Sequence, residues 1–249
     1  MGHLFQTNSQ KYAFIHIPKC GGGFFKTVFG LLDDAQKYLS PLAPLTTVLK
    51  SHQPKGEEEK PDVAGHWTYQ ELLETLGISP DEYKFIAIIR NPWDKMVSEY
   101  HYIKQISPRI HGNHEAHAKA NSGKLSFKDF VMGLVEKDFS GANANGDWVP
   151  LWDYLVDDKG DIAVDHVFKV ETLNADIDNF LLENGVDFTT DAKKVTTEFD
   201  LAFGALAQSA EEKVNTSEHA HYREYYDEEL IEIVREAEQD IVSFYNYEF

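Results

Sequence analysis

A short apolar run that passes directly into a glycine loop, and then into helical spacing, restricts the fold more than any other segment. Tyr12-Ala13-Phe14-Ile15-His16-Ile17 is rich in β-favouring residues and reads as a buried strand. Pro18-Lys19-Cys20-Gly21-Gly22-Gly23 follows, and Phe24, Phe25, Val28, Leu31 and Leu32 then recur at helical intervals. A strand, a glycine loop and a helix in this order present backbone N–H groups to an anion, because glycine lets the chain turn without Cβ atoms in the way. Lys19 adds a positive charge at the same place. A plain strand-to-helix turn would use the same glycines, so the flanking elements and Lys19 favour the phosphate reading. The Walker pattern is not met: Phe25, not glycine, precedes Lys26-Thr27.

A second unit repeats this logic. Lys84-Phe85-Ile86-Ala87-Ile88-Ile89 reads as a strand that ends at Arg90, and Asn91-Pro92 opens a helix with Asn as cap and Pro at its first position. Arg90 then stands at the carboxyl end of a strand, where open α/β sheets bind ligands. Ser98 comes two helical turns later on the same side, so a guanidinium and a hydroxyl can hold one phosphate. Taken singly, Arg90 would be a strand-end ion pair and Ser98 a helix-surface serine; the joint arrangement is more specific.

Elsewhere, Thr68-Tyr69-Gln70-Glu71 is a capping box opening a helix through Leu76. Residues 126–135 have helical spacing, 163–170 read as a strand, and 176–182 as a helix stopping near Gly185. A last helix begins near Asp227, with Leu230, Val234, Ala237, Ile241 and Phe244 on one face. Strands alternating with helices predict an α/β fold: a central parallel sheet flanked by helices on both faces. No linker or repeat divides the chain, so residues 1–249 are expected to form a single domain, with surface insertions near 103–124 and 188–212.

Composition narrows the partners. The net charge of −19 disfavours nucleic acid and anionic membranes, and suits a highly sulfated acceptor only if a local basic cleft overrides it. A lone cysteine, Cys20, excludes an internal disulfide and fits a reducing compartment, so a cytoplasmic location is expected. No apolar stretch reaches membrane-spanning length, and the first residues lack the charged start and apolar run of a secretory signal.

Phe14-Ile15-His16-Ile17-Pro18-Lys19-Cys20-Gly21-Gly22 resembles the 5′-phosphosulfate-binding loop of the carbohydrate sulfotransferase superfamily, nearest its 2-O-sulfotransferase-like branch and bacterial members. Residues 88–100, Ile88-Ile89-Arg90-Asn91-Pro92 through Ser98-Glu99-Tyr100, resemble its 3′-phosphate segment. Val214-Asn215-Thr216-Ser217 and Tyr222-Arg223-Glu224-Tyr225-Tyr226-Asp227 resemble the closing motif of bacterial members. The resemblance implies a P-loop-NTPase-like sulfotransferase fold. It also implies transfer of a sulfuryl group from 3′-phosphoadenosine-5′-phosphosulfate (PAPS) to a hydroxyl, on a carbohydrate, leaving adenosine 3′,5′-bisphosphate (PAP) and requiring no metal. Lys19 would contact the bridging oxygen and 5′-phosphate, with Cys20, Gly21, Gly22, Gly23 and Phe24 completing the loop. Arg90 and Ser98 would bind the 3′-phosphate, and Lys213, Thr216 and Ser217 match the loop that covers it. The family places Thr or Ser after the glycine pair, whereas this chain has Gly23 and Phe24; backbone N–H groups or Lys26 and Thr27 must substitute.

Deprotonating the acceptor needs a base, and stabilising the leaving phosphate oxygen needs positive charge, for which Lys19 is suited. His66, just before the capping box, lies near a helix N-terminus that disfavours protonation and keeps the ring able to accept a proton. The Gly65-His66 segment also resembles the motif that carries the base in the 2-O-sulfotransferase branch. A structural histidine is the plainer alternative, and His52 is the reserve candidate, with Lys50 and Lys55 able to guide an anion. Glu71 is expected as the capping-box partner, and His16 is expected in the core, with an orientation towards the donor site as the alternative.

His111, His114, Glu115 and His117 crowd together, but Pro108, Gly112 and Asn113 argue for a loop, so no metal is expected there. Trp67, Trp93, Trp148 and Trp152 are sugar-stacking candidates or core residues. A nucleotide-dependent kinase is the main competing class; it would need a Lys-Ser/Thr at the loop end and a magnesium-binding carboxylate after a strand, where Arg90-Asn91 stands instead. A non-catalytic nucleotide-binding relative is the other.

Overall fold

Proline has no N–H to add to a ladder, and the strand before Pro18 stops just ahead of it. The computed structural model describes residues 3–6, 10–22, 46–49, 66–106, 123–136, 148–184 and 219–249. The expectations for Gly23, Phe24, Lys26, Thr27, the helix after them, Lys50, His52, Lys55, the 111–117 histidine cluster, residues 188–212, Lys213, Thr216 and Ser217 lie outside the described residues.

Five strands form one sheet: β1 (His3–Gln6), β2 (Lys11–Ile15), β3 (Thr46–Leu49), β4 (Tyr83–Ile89) and β5 (His166–Lys169), in the order β3-β1-β2-β4-β5. β2, β4 and β5 run parallel, as expected of an α/β chain, with Ile15 opposite Ala87 and Ile89 opposite Lys169. Two antiparallel strands extend this core at one edge: β1 pairs with β2, and β3 with β1. Both are only four residues long, too short for a period-2 pattern to announce them. Successive residues Phe85 to Ile89 of β4 are all buried, so both faces of the central strand are covered.

The helices follow their sequence signals closely. α1 (Tyr69–Leu76) opens on a full capping box: Glu71 N donates to Thr68 Oγ1 at 3.3 Å, and Thr68 N to Glu71 Oε2 at 2.8 Å. α2 (Pro92–Ile106) is capped by Asn91, whose Oδ1 accepts from Trp93 N at 3.1 Å and Asp94 N at 3.3 Å. It extends to Ile106, so the first residues of the expected 103–124 insertion are helical. α3 (Phe127–Val135), α4 (Leu173–Glu183), α5 (Glu228–Ala237) and α6 (Gln239–Tyr245) complete the set.

The expected C-terminal helix is divided between α5 and α6. Glu238 sits at the break with φ −118° and ψ 27°, its carboxylate turned inward to accept from Leu151 N at 2.8 Å. Leu230 and Val234 therefore pack with α2 and α3, Ile241 packs with the sheet, and Phe244 is left 58% exposed instead of continuing the apolar stripe.

Between these two apolar clusters lies a buried ionic group. Lys95 and Glu99, one helical turn apart on α2, pair at 3.2 Å and are each 2% exposed. Burial opposes the Lys95 charge, but Glu99 and Glu238 outweigh it and raise its pKa. Burial lifts Glu238 to about 7, against the pull of Lys95 and its bond to Leu151, while Glu99 and Asp153 add to the rise. Removing one member strands the others without water, so Lys95→Met should cost about 3–5 kcal/mol in urea unfolding. Glu238 holds its proton more tightly folded than unfolded; its contribution is therefore complete below its ordinary pKa of 4.5 and is lost as pH rises to about 7. Unfolding midpoints taken from pH 4.5 to 8 should show this decline in the wild type and lose it in Glu238→Gln.

Candidate active site

Parallel pairing puts the carboxyl ends of β2, β4 and β5 at one edge of the sheet, so the segments after them converge there. After β2 the chain turns at residues 17–20, closed by Cys20 N donating to Ile17 O at 3.4 Å. Lys19 takes the left-handed backbone (φ 62°), a conformation costing a side-chain-bearing residue roughly 1–2 kcal/mol. Arg90, the first residue after β4, holds that turn: its Nη1 donates to the Lys19 carbonyl at 3.1 Å.

Arg90 is itself oriented by α2. Its Nε donates to Asp94 Oδ2 at 2.8 Å, and its Nη2 lies 2.8 Å from the same oxygen. The strand-end ion pair and the helix-entrance arrangement thus occur together. Asp94, Ser98 and Tyr102 are spaced four apart and share one face of α2. Lys19 Nζ lies over the Tyr102 ring, 4.2 Å from its centroid. Burial, followed by repulsion from Arg90, lowers the Lys19 pKa to about 8. The three predicted side chains Lys19, Arg90 and Ser98 are therefore brought around one helix face.

The remaining loop residues divide by role. Cys20 turns into the core at 1% exposure, where burial raises its thiol pKa to about 12, leaving a neutral thiol. Gly21 has φ 75°, and a Cβ there would lie 3.3 Å from Leu173 Cδ2. At Gly22 a Cβ would fall 1.9 Å from His16 Nε2, an impossible approach. His16 is thus partly buried against the loop, the alternative to the core placement expected of it. β2 ends at Ile15, so the pleat no longer dictates its direction, and its ring packs over the loop backbone.

His66 reaches the same place. Its Nδ1 is 2.9 Å from the His16 carbonyl, and the two rings meet edge to face with centroids 4.7 Å apart. A carbonyl only accepts, so Nδ1 donates, and in the neutral form of the ring the lone pair is on Nε2. The predicted base therefore touches the loop that carries Lys19, with the tautomer a proton acceptor needs.

Sequence reasoning missed the supports of this site. Asn91 N donates to Glu171 Oε1 at 2.6 Å, Asn91 Nδ2 to the Glu248 carbonyl at 3.0 Å, and Tyr247 Oη to Glu171 Oε2 at 3.3 Å. Asp94 and Tyr102 were missed as well, although each stands four residues from Arg90 or Ser98 and that spacing was the available signal; nothing local marks Glu171 or Glu248. Trp93 and Trp148 are buried, and Trp67 and Trp152 pack partly buried against the sheet core, Trp152 also against Phe244. Among the described residues, no group of three or more His, Cys, Asp or Glu is placed to hold a metal ion, and no helix is long and apolar enough to cross a membrane.

The chain matches the sequence profile described as the sulfotransferase family over residues 2–248. It belongs to that family. No curated protein matches this sulfotransferase. Among solved structures it is similar to mouse sulfotransferase SULT7A1 complexed with PAP, at 16% identity and a TM-score of 0.47 over 90% of this chain and 81% of that one.

The Gly22–His16 contact tests how closely the sulfotransferase loop is built. Gly22→Ala should lower stability by roughly 1–3 kcal/mol through overpacking, measured by denaturant unfolding. His16→Ala in the same chain should recover part of that loss, because it removes the ring the new methyl strikes.

Proposed function

We propose that the enzyme transfers a sulfuryl group from PAPS to a hydroxyl of a carbohydrate acceptor. The observation that carries the donor assignment is the Arg90–Lys19 contact, which joins two anion-suited loops at the carboxyl ends of neighbouring parallel strands. The glycines of that turn support it: Gly21 takes the left-handed backbone, and Gly22 is close-packed under the His16 ring, so the loop is built for backbone groups rather than side chains. The carbohydrate acceptor is supported by the resemblance of the Gly65-His66 segment to the 2-O-sulfotransferase branch.

In this reading Arg90 and Ser98 bind the 3′-phosphate, and the turn from Lys19 to Gly22 binds the 5′-phosphosulfate. His66 Nε2 accepts the proton as the acceptor oxygen bonds to sulfur. The bond from sulfur to the phosphate oxygen breaks, and Lys19 meets the negative charge that develops on that oxygen. Asp94 keeps the Arg90 guanidinium aimed and limits the positive charge facing Lys19. Gly23, Phe24, Lys213, Thr216 and Ser217 would complete the donor site, and a cytoplasmic location suits the single reduced thiol.

Titration calorimetry with PAP should show tight, metal-independent binding that weakens at least tenfold in Arg90→Ala, whereas a preference for ATP with magnesium would reject the donor. Turnover with labelled PAPS should fall about 10²–10⁴-fold in His66→Ala. Because Lys19 acts in its charged form, kcat/KM should decline as pH rises through about 8.

A further inference from the structure

Lys19, Arg90 and Lys95 lie near one another, yet they are held by different means. Arg90 is ion-paired with Asp94, and Lys95 with Glu99. Among the described residues, no carboxylate pairs with Lys19; its ammonium rests instead 4.2 Å from the centroid of the Tyr102 ring. That distance is well within the roughly 6 Å over which a ring face attracts a cation.

The difference has a chemical consequence. A carboxylate at Lys19 would neutralise the charge and compete with an incoming anion. An aromatic face stabilises the ammonium without supplying an anion, and it yields readily to a phosphate oxygen. The start of the side chain is also fixed, because Arg90 holds the Lys19 carbonyl and the backbone is confined to φ 62°. Tyr102 follows Ser98 by one helical turn and Asp94 by two, so successive positions on this face are about 6 Å apart. One helix face thus carries the carboxylate that aims Arg90, the predicted phosphate-binding hydroxyl, and the ring that receives Lys19.

We propose that Tyr102 is a positioning residue for Lys19, its ring face holding the ammonium charged and beside Ser98 until the phosphosulfate of the donor displaces it. This rests on Lys19 being the lysine that meets the leaving phosphate. The ring, not the hydroxyl, is the working part. Burial and Arg90 both push Lys19 towards its neutral form, the Glu99 carboxylate opposes that push, and the Tyr102 ring face at 4.2 Å adds to the opposition in this proposal.

The test reads the lysine directly. Trace labelling with acetic anhydride across a pH series, quantified by mass spectrometry, gives the midpoint at which Lys19 loses its proton. Tyr102→Phe should keep that midpoint. Tyr102→Leu and Tyr102→Met, which keep an apolar side chain but lose the π face, should lower it by roughly half to one pH unit. The basic limb of the kcat/KM profile should move down by the same amount. A midpoint that stays or rises in whichever of the Leu and Met variants melts like the wild type overturns the proposal, even if Lys19→Ala is inactive. Full turnover in Lys19→Ala would instead overturn the role of Lys19, and this proposal with it.

Discussion

The hydrogen bond from Arg90 to the Lys19 carbonyl is the contact on which the site depends. It exists because β2 and β4 are parallel and in register, with Ile15 opposite Ala87, so that the residues following each strand emerge at the same edge. An antiparallel pair would have sent the two loops to opposite ends of the sheet. The bond also offsets the cost of a left-handed lysine, and it places two positive groups together at the sheet edge. Burial of the lysine and, after it, repulsion from Arg90 are the penalty, and both lower the lysine pKa.

A chain with a net charge of −19 must create a cationic site locally. It does so by rationing counter-charge. Asp94 faces Arg90 at the helix entrance, where solvent softens the pairing. Glu99 and Glu238 are buried with Lys95, where desolvation makes each depend on the others. Among the described residues, Lys19 rests on an aromatic face where Arg90 and Lys95 have ion-paired carboxylates, and Glu99 acts on it without pairing. The Cys20 thiol stays protonated because burial of a thiolate outweighs the pull of Lys95 and Arg90.

The C-terminal residues brace the same site from outside. Tyr247 and Glu248 bond to Glu171 and Asn91, and Phe249 packs edge-on against Trp93, Tyr222 and Tyr226. Lys169, at the end of β5, donates to the Tyr245 carbonyl at 2.9 Å and faces the Tyr247 ring. The segment after β4 is therefore fixed on one side by the Lys19 turn and on the other by the tail. Glu238, by breaking the last helix, directs α6 and the tail towards the sheet.

Much of this was legible locally. Strands bounded by Pro18 and Arg90, the Asn91 cap, the capping box at Thr68 and the helix from Phe127 all arise from short-range chemistry: a missing N–H, a side chain that caps, a period of 3.6. The Lys19, Arg90 and Ser98 positions followed from the same spacing. What the chain alone could not express were contacts between residues distant in sequence. Whether His16 faced the core or the loop depended on where β2 ended and on Gly22 leaving room for its ring. The break at Glu238 depended on Leu151 and Lys95, and the partner of Lys19 depended on which face of α2 met the turn. Sequence determined the elements and the chemistry at their ends, because those are set within a few residues. Tertiary structure decided which charges were paired, buried or left available, because that depends on what packs across the sheet edge.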